Sequence, residues 1–225
     1  MHWAEIRMQW PAMEVHVLPS GPIQTNAYLL VAPERREAIL IDAPGDIWAE
    51  VGPILEQKKC KLTELWLTHG HWDHTQDAAK VVRASGGARV RGHADDKAMF
   101  STPEIMRPFV FGEMELQPVV PDVWIAQGDK FDALGTSVEV RHVPGHCPGN
   151  VIFYFAREKA AFAGDSLFAG SVGRTDLVGG SFSVLERSIR EQIYTLPDDT
   201  VVYPGHGPAT TVGKEKRTNP YVNGP

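Results

Sequence analysis

Cysteine is nearly absent. Cys60 and Cys147 are the whole complement of a 225-residue chain, too few for a disulfide framework, and the expected setting is reducing and cytoplasmic. No apolar run approaches the ~18 residues of a membrane span, so no membrane partner is expected. The stretch Met1 to Arg7 has no basic segment followed by an apolar one and does not read as a secretory signal. Positive charge is also short: 22 Lys and Arg against 28 Asp and Glu leave a net charge of -6 with His neutral. That argues against a nucleic-acid partner, because phosphate neutralisation needs clustered cations. The Gly-x-Gly-x-x-Gly fingerprint, the P-loop and the Gly-x-Ser-x-Gly elbow are all missing, which lowers the case for nucleotide folds and serine hydrolases. What is left is an ordinary globular composition, 43% hydrophobic and 22% charged, long enough to bury a real core. The expectation is one domain over residues 1–225.

Histidine is what the chain has in quantity, and it is concentrated. In Thr68-His69-Gly70-His71-Trp72-Asp73-His74, three imidazoles and a carboxylate fall within six positions. These donors suit zinc or iron. The apolar run Leu65-Trp66-Leu67 precedes them, so a strand is expected to end just before His69 and to deliver the donors on the turn at its carboxyl end. His69 and His71 then point one way, and Asp73 and His74 face a second position. Three later segments repeat the device. Val138 to Val143 alternates and ends in Pro144-Gly145-His146. Ala160 to Ala163 ends in Gly164-Asp165, and Thr200 to Tyr203 ends in Pro204-Gly205-His206. Four strand ends, each carrying a donor, argue for a shared rim. His69, His71 and His146 would make one trio with an open position. Asp73, His74 and His206 would make a second, and Asp165 could bridge. Metal bound in such a site lowers the pKa of water towards neutrality. Cys147 reads as packing, because adjacent side chains of an extended segment point apart.

Around these donors the pattern is mixed. Strands are expected at Met13–Leu18, Thr25–Val31 and Glu37–Ile41, with turns at Ser20-Gly21-Pro22 and Pro33 to Arg36. Asp42, at the end of the third, reads slightly better as a turn former capping the next helix than as a support for a ligand. Helical spacing covers Ile47–Gln57 and Thr75–Ala84, and Gly86-Gly87 stops the second. Ala88–Arg91 is a strand leading to His93, a further candidate for the site. Residues 94–123 carry four prolines that break long elements. Their Met and Phe residues form either a local apolar cluster or an apolar wall over a pocket, with Phe109–Met114 the part nearest a substrate's acyl end. Trp124-Ile125 opens a second half. Residues 169–181 read as a long polar loop, Ser183–Leu196 as one amphipathic helix, and the segment from Thr210 as a basic tail with Lys214, Lys216 and Arg217.

The chain resembles the metallo-beta-lactamase superfamily, and within it the glyoxalase II-like (hydroxyacylglutathione hydrolase-like) short hydrolases. Thr68-His-Gly-His-Trp-Asp-His74 matches the superfamily signature. Pro144-Gly145-His146, Gly164-Asp165-Ser-Leu-Phe168, Gly173-Arg174-Thr175-Asp176 and Pro204-Gly205-His206-Gly207 support it, and the resemblance runs from about residue 14 to the end. It implies an α+β fold, a four-layer αββα sandwich with the site at one edge of its two sheets. It also implies two Zn2+ ions, with iron or manganese as substitutes. His69, His71, His146 and Asp165 would hold the first ion, and Asp73, His74, His206 and the shared Asp165 the second. Asp73 and Asp165 would be the catalytic carboxylates. The implied reaction is hydrolysis of a small acyl thioester such as S-lactoylglutathione. Its carboxylates would need a basic contact, for which Arg174, Lys214, Lys216 and Arg217 are the candidates. The commonest true beta-lactamases have Cys where Asp165 stands, which disfavours antibiotic hydrolysis. Only about 15 residues follow Pro208-Ala209-Thr210, so the extra glutathione-binding domain of long glyoxalase II enzymes is expected to be missing. Gly173 to Asp176 also resembles persulfide dioxygenases, which would use one iron on His69, His146 and Asp165. Lactone hydrolysis and a non-catalytic binding module are the other readings.

Overall fold

The computed structural model describes residues 6–10, 13–110 and 112–223. Residues 1–5 of the N-terminal stretch, and Phe111 within the 109–114 segment, lie outside them. In chain order the strands of the first part are β1 (Ile6–Gln9), β2 (Glu14–Ser20), β3 (Thr25–Ala32) and β4 (Glu37–Ile41). Helix α1 (Trp48–Lys58), β5 (Lys61–Trp66), α2 (Trp72–Thr75), α3 (Ala78–Ala84), β6 (Arg89–His93), α4 (Lys97–Ser101) and β7 (Val123–Ile125) follow. These seven strands form one sheet in sequence order. Trp124-Ile125 thus closes the first sheet, paired in parallel with β6, rather than opening a second half.

The second sheet is built from β8 (Lys130–Ala133), β9 (Thr136–His142), β10 (Val151–Phe155), β11 (Ala160–Gly164), β14 (Val201–Pro204) and β15 (Thr210–Thr211), in the order β15-β14-β11-β10-β9-β8. Between β11 and β14 lie a small hairpin of β12 (Leu167–Phe168) and β13 (Ser171–Val172), and helix α5 (Phe182–Ser188). Helix α6 (Val212–Thr218) follows β15.

Strand β3 shows why the layers stack as they do. All of it is buried, yet successive side chains of a strand face opposite ways. Ala27, Leu29 and Val31 pack with Val51 and Leu55 of α1 and with Ala78 and Val81 of α3. Tyr28, Leu30 and Ala32 meet Val138, Val140, Phe153, Phe155 and Phe162 of the second sheet. On that sheet's outer face Ile152, Tyr154 and Val202 pack with Leu185, Ile189 and Ile193. Helix, sheet, sheet, helix is the expected αββα sandwich. The inter-sheet core is aromatic: Phe162 lies 4.9 Å from Tyr28, 5.7 Å from Phe155 and 5.1 Å from Tyr203, centroid to centroid. Burying each such side chain stabilises by about 1.5–3 kcal/mol.

The pairing directions set the rim. β4, β5 and β6 run parallel, so β5 delivers His69 on the same edge where β6 ends. β11 and β14 are parallel, and β9 and β11 each run antiparallel to β10. The loops after β9, β11 and β14 therefore open on one edge, and they carry His146, Asp165 and His206.

Three local expectations change. The 75–84 helix is two pieces, because the chain bends between α2 and α3 to let Asp77 N–H reach the Ala43 carbonyl at 2.9 Å. The polar loop after Asp165 contains half of the β12–β13 hairpin. The amphipathic helix from residue 183 widens into a π-helical turn over Ile189–Ile193. Tyr194 N–H there reaches back to the Ile189 carbonyl, and Ile189 and Ile193 both stay buried.

Candidate metal centre

All seven donors converge on the rim. His69, His71 and His146 offer ligand atoms within 4.8 Å of one another, as do Asp73, His74 and His206, and as do His69, His74 and Asp165. The His71 and His146 rings are 4.4 Å apart, and those of His69 and His146 are 4.9 Å apart, both edge-on. Asp165 stands between the trios. Its Oδ2 is 3.6 Å from His146 Nε2 and 3.4 Å from His206 Nε2, while its Oδ1 is 3.3 Å from His74 Nε2. Asp73 Oδ2 lies 3.3 Å from His74 Nε2 and 3.2 Å from His206 Nε2. His206 is the partly exposed member, and the others are buried, so the site opens on the His206 side.

The unshared electron pairs test whether ions fit. Nε2 of His69, His71, His74 and His146, and Oδ1 of Asp165, are buried with no hydrogen-bond partner. Leaving five such atoms dry is costly, and divalent cations satisfy all of them. The far ring nitrogens agree. His74 Nδ1 faces Asp42 Oδ2 at 2.8 Å, and His146 Nδ1 faces the Arg174 carbonyl at 2.7 Å. His69 Nδ1 faces Thr68 Oγ1 at 3.0 Å, and that hydroxyl donates to Asp42 Oδ2 at 2.8 Å. Each acceptor holds a proton on Nδ1 and so presents Nε2 as the lone pair, the tautomer that binds metal.

Charge divides the two trios. Burial, then His146, depresses His71 to about 3. Burial and the neighbouring imidazoles hold His69 well below its ordinary value. Both stay neutral, as ligands must. In the second trio burial opposes charge, but partners override it. His74 and His206 bring Asp73 down to about 2, and Asp165 and Asp73 lift His206 to about 9. Two carboxylates there draw in positive charge, which protons or a divalent ion can supply.

Asp42 departs from its expected role. It caps nothing: α1 starts after Ile47 with no side-chain cap bond. Instead it sits at φ +61° and accepts from Thr68 N–H, from the Thr68 hydroxyl and from His74. One carboxylate thus aims a ligand in each trio. Thr25, which sequence reasoning passed over, donates to Asp73 Oδ2 at 2.8 Å. Asn26 beside it donates to the Pro204 and Gly207 carbonyls and holds the His206 loop. No local pattern marks either residue, because both partners lie far away in sequence.

Other candidates are placed elsewhere. His93 does not join the seven; it stacks on His142 at 4.0 Å. Cys147 is buried with Trp72, Met99, Met106 and Leu116, against which Phe109, Val110 and Met114 pack. Among the described residues of 94–123, this group therefore packs on Trp72 and Cys147 of the donor-bearing loops, while Phe100 and Val119 join the core between the first sheet and its helices. Arg174 reaches the site through its carbonyl, while its exposed guanidinium pairs with Asp176 at 2.7 and 2.8 Å. Lys216 binds Asp198 at 2.8 Å and Arg217 lies 4.0 Å from it. Asp198 precedes β14 at the end opposite His206, so the structure does not bring these cations to the donors. Lys214 is exposed on the same short helix. Among the described residues no helix is long and apolar enough to cross a membrane.

The family model of the metallo-beta-lactamase superfamily matches residues 20–206. The chain is 36% identical over 214 residues to hydroxyacylglutathione hydrolase GloC of Haemophilus influenzae, covering 94% of this chain and 99% of that one. Among solved structures it is similar to the BLEG-1 B3 metallo-beta-lactamase, with TM-score 0.85 and 33% identity over 92% of this chain and 99% of that one. It is also similar to TTHA1623 in a di-iron-bound form, with TM-score 0.80 and 34% identity over the same shares.

Proposed function

Since the chain belongs to the metallo-beta-lactamase superfamily and is a metal-dependent hydrolase with a dinuclear site, we propose that its substrate is a small acyl thioester of the S-lactoylglutathione type. The two ions are zinc, with iron the main alternative because a relative is described in a di-iron-bound form. The observation that carries the reading is the set of unsatisfied Nε2 and Oδ1 atoms around Asp165, joined to the hydroxyacylglutathione hydrolase at 36% identity.

Divalent ions bound there supply Lewis acidity and a water acidified to near neutral pH. The chain's own residues do the rest. Asp165 sets the spacing of the trios by facing His146, His74 and His206. Asp73 is held by Thr25 through Oδ2 and would orient the attacking water by accepting its hydrogen bond. Asp42 keeps His69 and His74 in the ligating tautomer. The products are a hydroxy acid and a thiol, and a thiolate with a conjugate-acid pKa of about 8.5 leaves without a strong general acid. The exposed Arg174 guanidinium, paired with Asp176, is the candidate contact for a glutathione carboxylate.

A panel of S-lactoylglutathione, a charge-neutral thioester, a lactone, a cephalosporin and a persulfide on one metal-defined preparation tests this. The glutathione thioester is expected to be turned over best. Lactone turnover well above it overturns the thioester assignment, and equal turnover of the neutral thioester overturns the glutathione assignment. Cleavage of a β-lactam is the second reading, favoured by the likeness to BLEG-1, and the cephalosporin arm decides it. Oxygen uptake on the persulfide with a single bound iron would point to the dioxygenase instead.

A further inference from the structure

Asp96 is a fully buried carboxylate at the end of the 3-10 turn that follows β6, and it is not among the groups that could hold an ion. It accepts three hydrogen bonds from two loops. Gly70 N–H donates to Oδ2 at 2.8 Å, Cys147 Sγ–H donates to the same oxygen at 3.2 Å, and Gly149 N–H donates to Oδ1 at 2.6 Å. Gly70 lies between His69 and His71, and Cys147 follows His146. An ionised carboxylate only accepts, and it can serve several donors at once. The packing is equally specific. A Cβ on Gly149 would lie 2.5 Å from Asp96 Cγ, and a Cβ on Gly70 would lie 3.2 Å from Asp96 Cβ and 2.8 Å from Met99 Cβ. Both ligand loops therefore press bare backbone against this side chain.

The two loops come from different sheets, one after β5 and the other after β9. The second trio is secured by other residues: Thr25 for Asp73, Asp42 for His74 and Asn26 for the His206 loop. We propose that Asp96 is a positioning residue of the first trio, fixing the His69–His71 loop against the His146 loop so that the three imidazoles converge, beside Asp42, which reaches His69 through Thr68. This rests on the two-metal reading above. A support one step removed from the metal typically changes affinity by about 10- to 100-fold, and here the effect should fall on one ion alone.

Two variants test it. Asp96→Asn keeps the shape but turns one oxygen into a donor that faces a backbone N–H. Gly149→Ala keeps the carboxylate and pushes it with a new Cβ. For each, the two stepwise metal dissociation constants are measured by competition with a chromophoric chelator. The cobalt(II) absorption spectrum and the melting temperature are recorded alongside, with His71→Ala as the reference for a damaged first trio. One constant is expected to rise about 10- to 100-fold, with the other within about twofold of the unaltered protein, and the cobalt bands are expected to change as in His71→Ala. A lowered melting temperature with both constants unchanged overturns the proposal, and so does an equal rise in both. An unaltered protein that holds fewer than two ions overturns the two-metal reading itself, a result distinct from either of those.

Discussion

Replacing Gly205 by alanine should disable the centre without substituting any of the seven donors. The backbone of Gly205 is held on both sides: its N–H donates to the Gly164 carbonyl at 2.8 Å, and its carbonyl accepts from Asn26 N–H at 2.7 Å. A Cβ there would lie 2.1 Å from Asp165 Oδ1 and 2.6 Å from His74 Cε1. To move from 2.1 Å to an ordinary 3.4 Å contact, the Asp165 carboxylate must retreat by about 1.3 Å. Otherwise the His206 loop must give up one of its anchors. A displacement of about 1 Å at reacting groups costs on the order of 10²-fold in rate. The expected outcome for Gly205→Ala is a kcat lowered by about 100-fold or more with less than two ions retained. Gly207→Ala is the contrast. Gly207 has φ +74° with nothing within 4 Å of its added Cβ, so that change strains backbone but leaves the ligands in place. It should lower the melting temperature and spare the metal content. Steady-state kinetics and elemental analysis on both variants make the measurement. A Gly205→Ala protein with two ions and a kcat within about threefold of the parent would refute the argument, since a 1 Å shift cannot be that cheap.

Asp165→Ala should abolish turnover and release at least one ion, read by elemental analysis, and full activity with two ions would contradict its bridging place. Asp42→Ala leaves Thr68 N–H, the Thr68 hydroxyl and His74 Nδ1 without their acceptor. At about 1–3 kcal/mol for a buried unsatisfied group, urea unfolding should show a loss of at least 2 kcal/mol, roughly one such group left without water. Arg174→Ala should keep both ions, because the His146 partner is the residue's carbonyl, while raising KM for the glutathione thioester more than for a neutral one. Chelation should remove activity and lower the unfolding midpoint, since an ion at 1,000 times its Kd contributes about 4 kcal/mol to the folded state.

Much of this arrangement could be read from the chain alone. Strands at residues 14–18, 25–31 and 37–41 announce themselves by apolar runs and turns, and the four donor-bearing strand ends fall where expected. The αββα layering follows from strands such as β3 that are apolar on both faces. What stayed hidden depends on contacts between distant segments. Asp42 looked like a turn former because its neighbours Ala43-Pro44-Gly45 make a turn, while the groups that use its oxygens are 26 and 32 positions away. Thr25 is one more β-branched residue in a strand until Asp73, 48 positions on, comes within 2.8 Å. Lys216 and Arg217 carried the right charge, but Asp198 claims them at the far end of β14. His93 shares the strand-end signal of the seven converging donors, yet it ends β6 beside His142, where the rings stack.

The parallel pairing of β11 with β14 gives the centre a history as well as a shape. On a growing chain His69, His71, Asp73 and His74 are made early, His146 and Asp165 follow, and His206 comes last of the seven. At about 5–20 residues per second, the early imidazoles wait on the order of ten seconds for their final companion. β14 pairs with β11, which is made before it, so the loop with His206 is the last of the four donor-bearing loops to be made. An ion held by Asp73, His74 and His206 would therefore tie the loop after β5 in one sheet to the loop after β14 in the other, latching a late-made strand to an early-made loop.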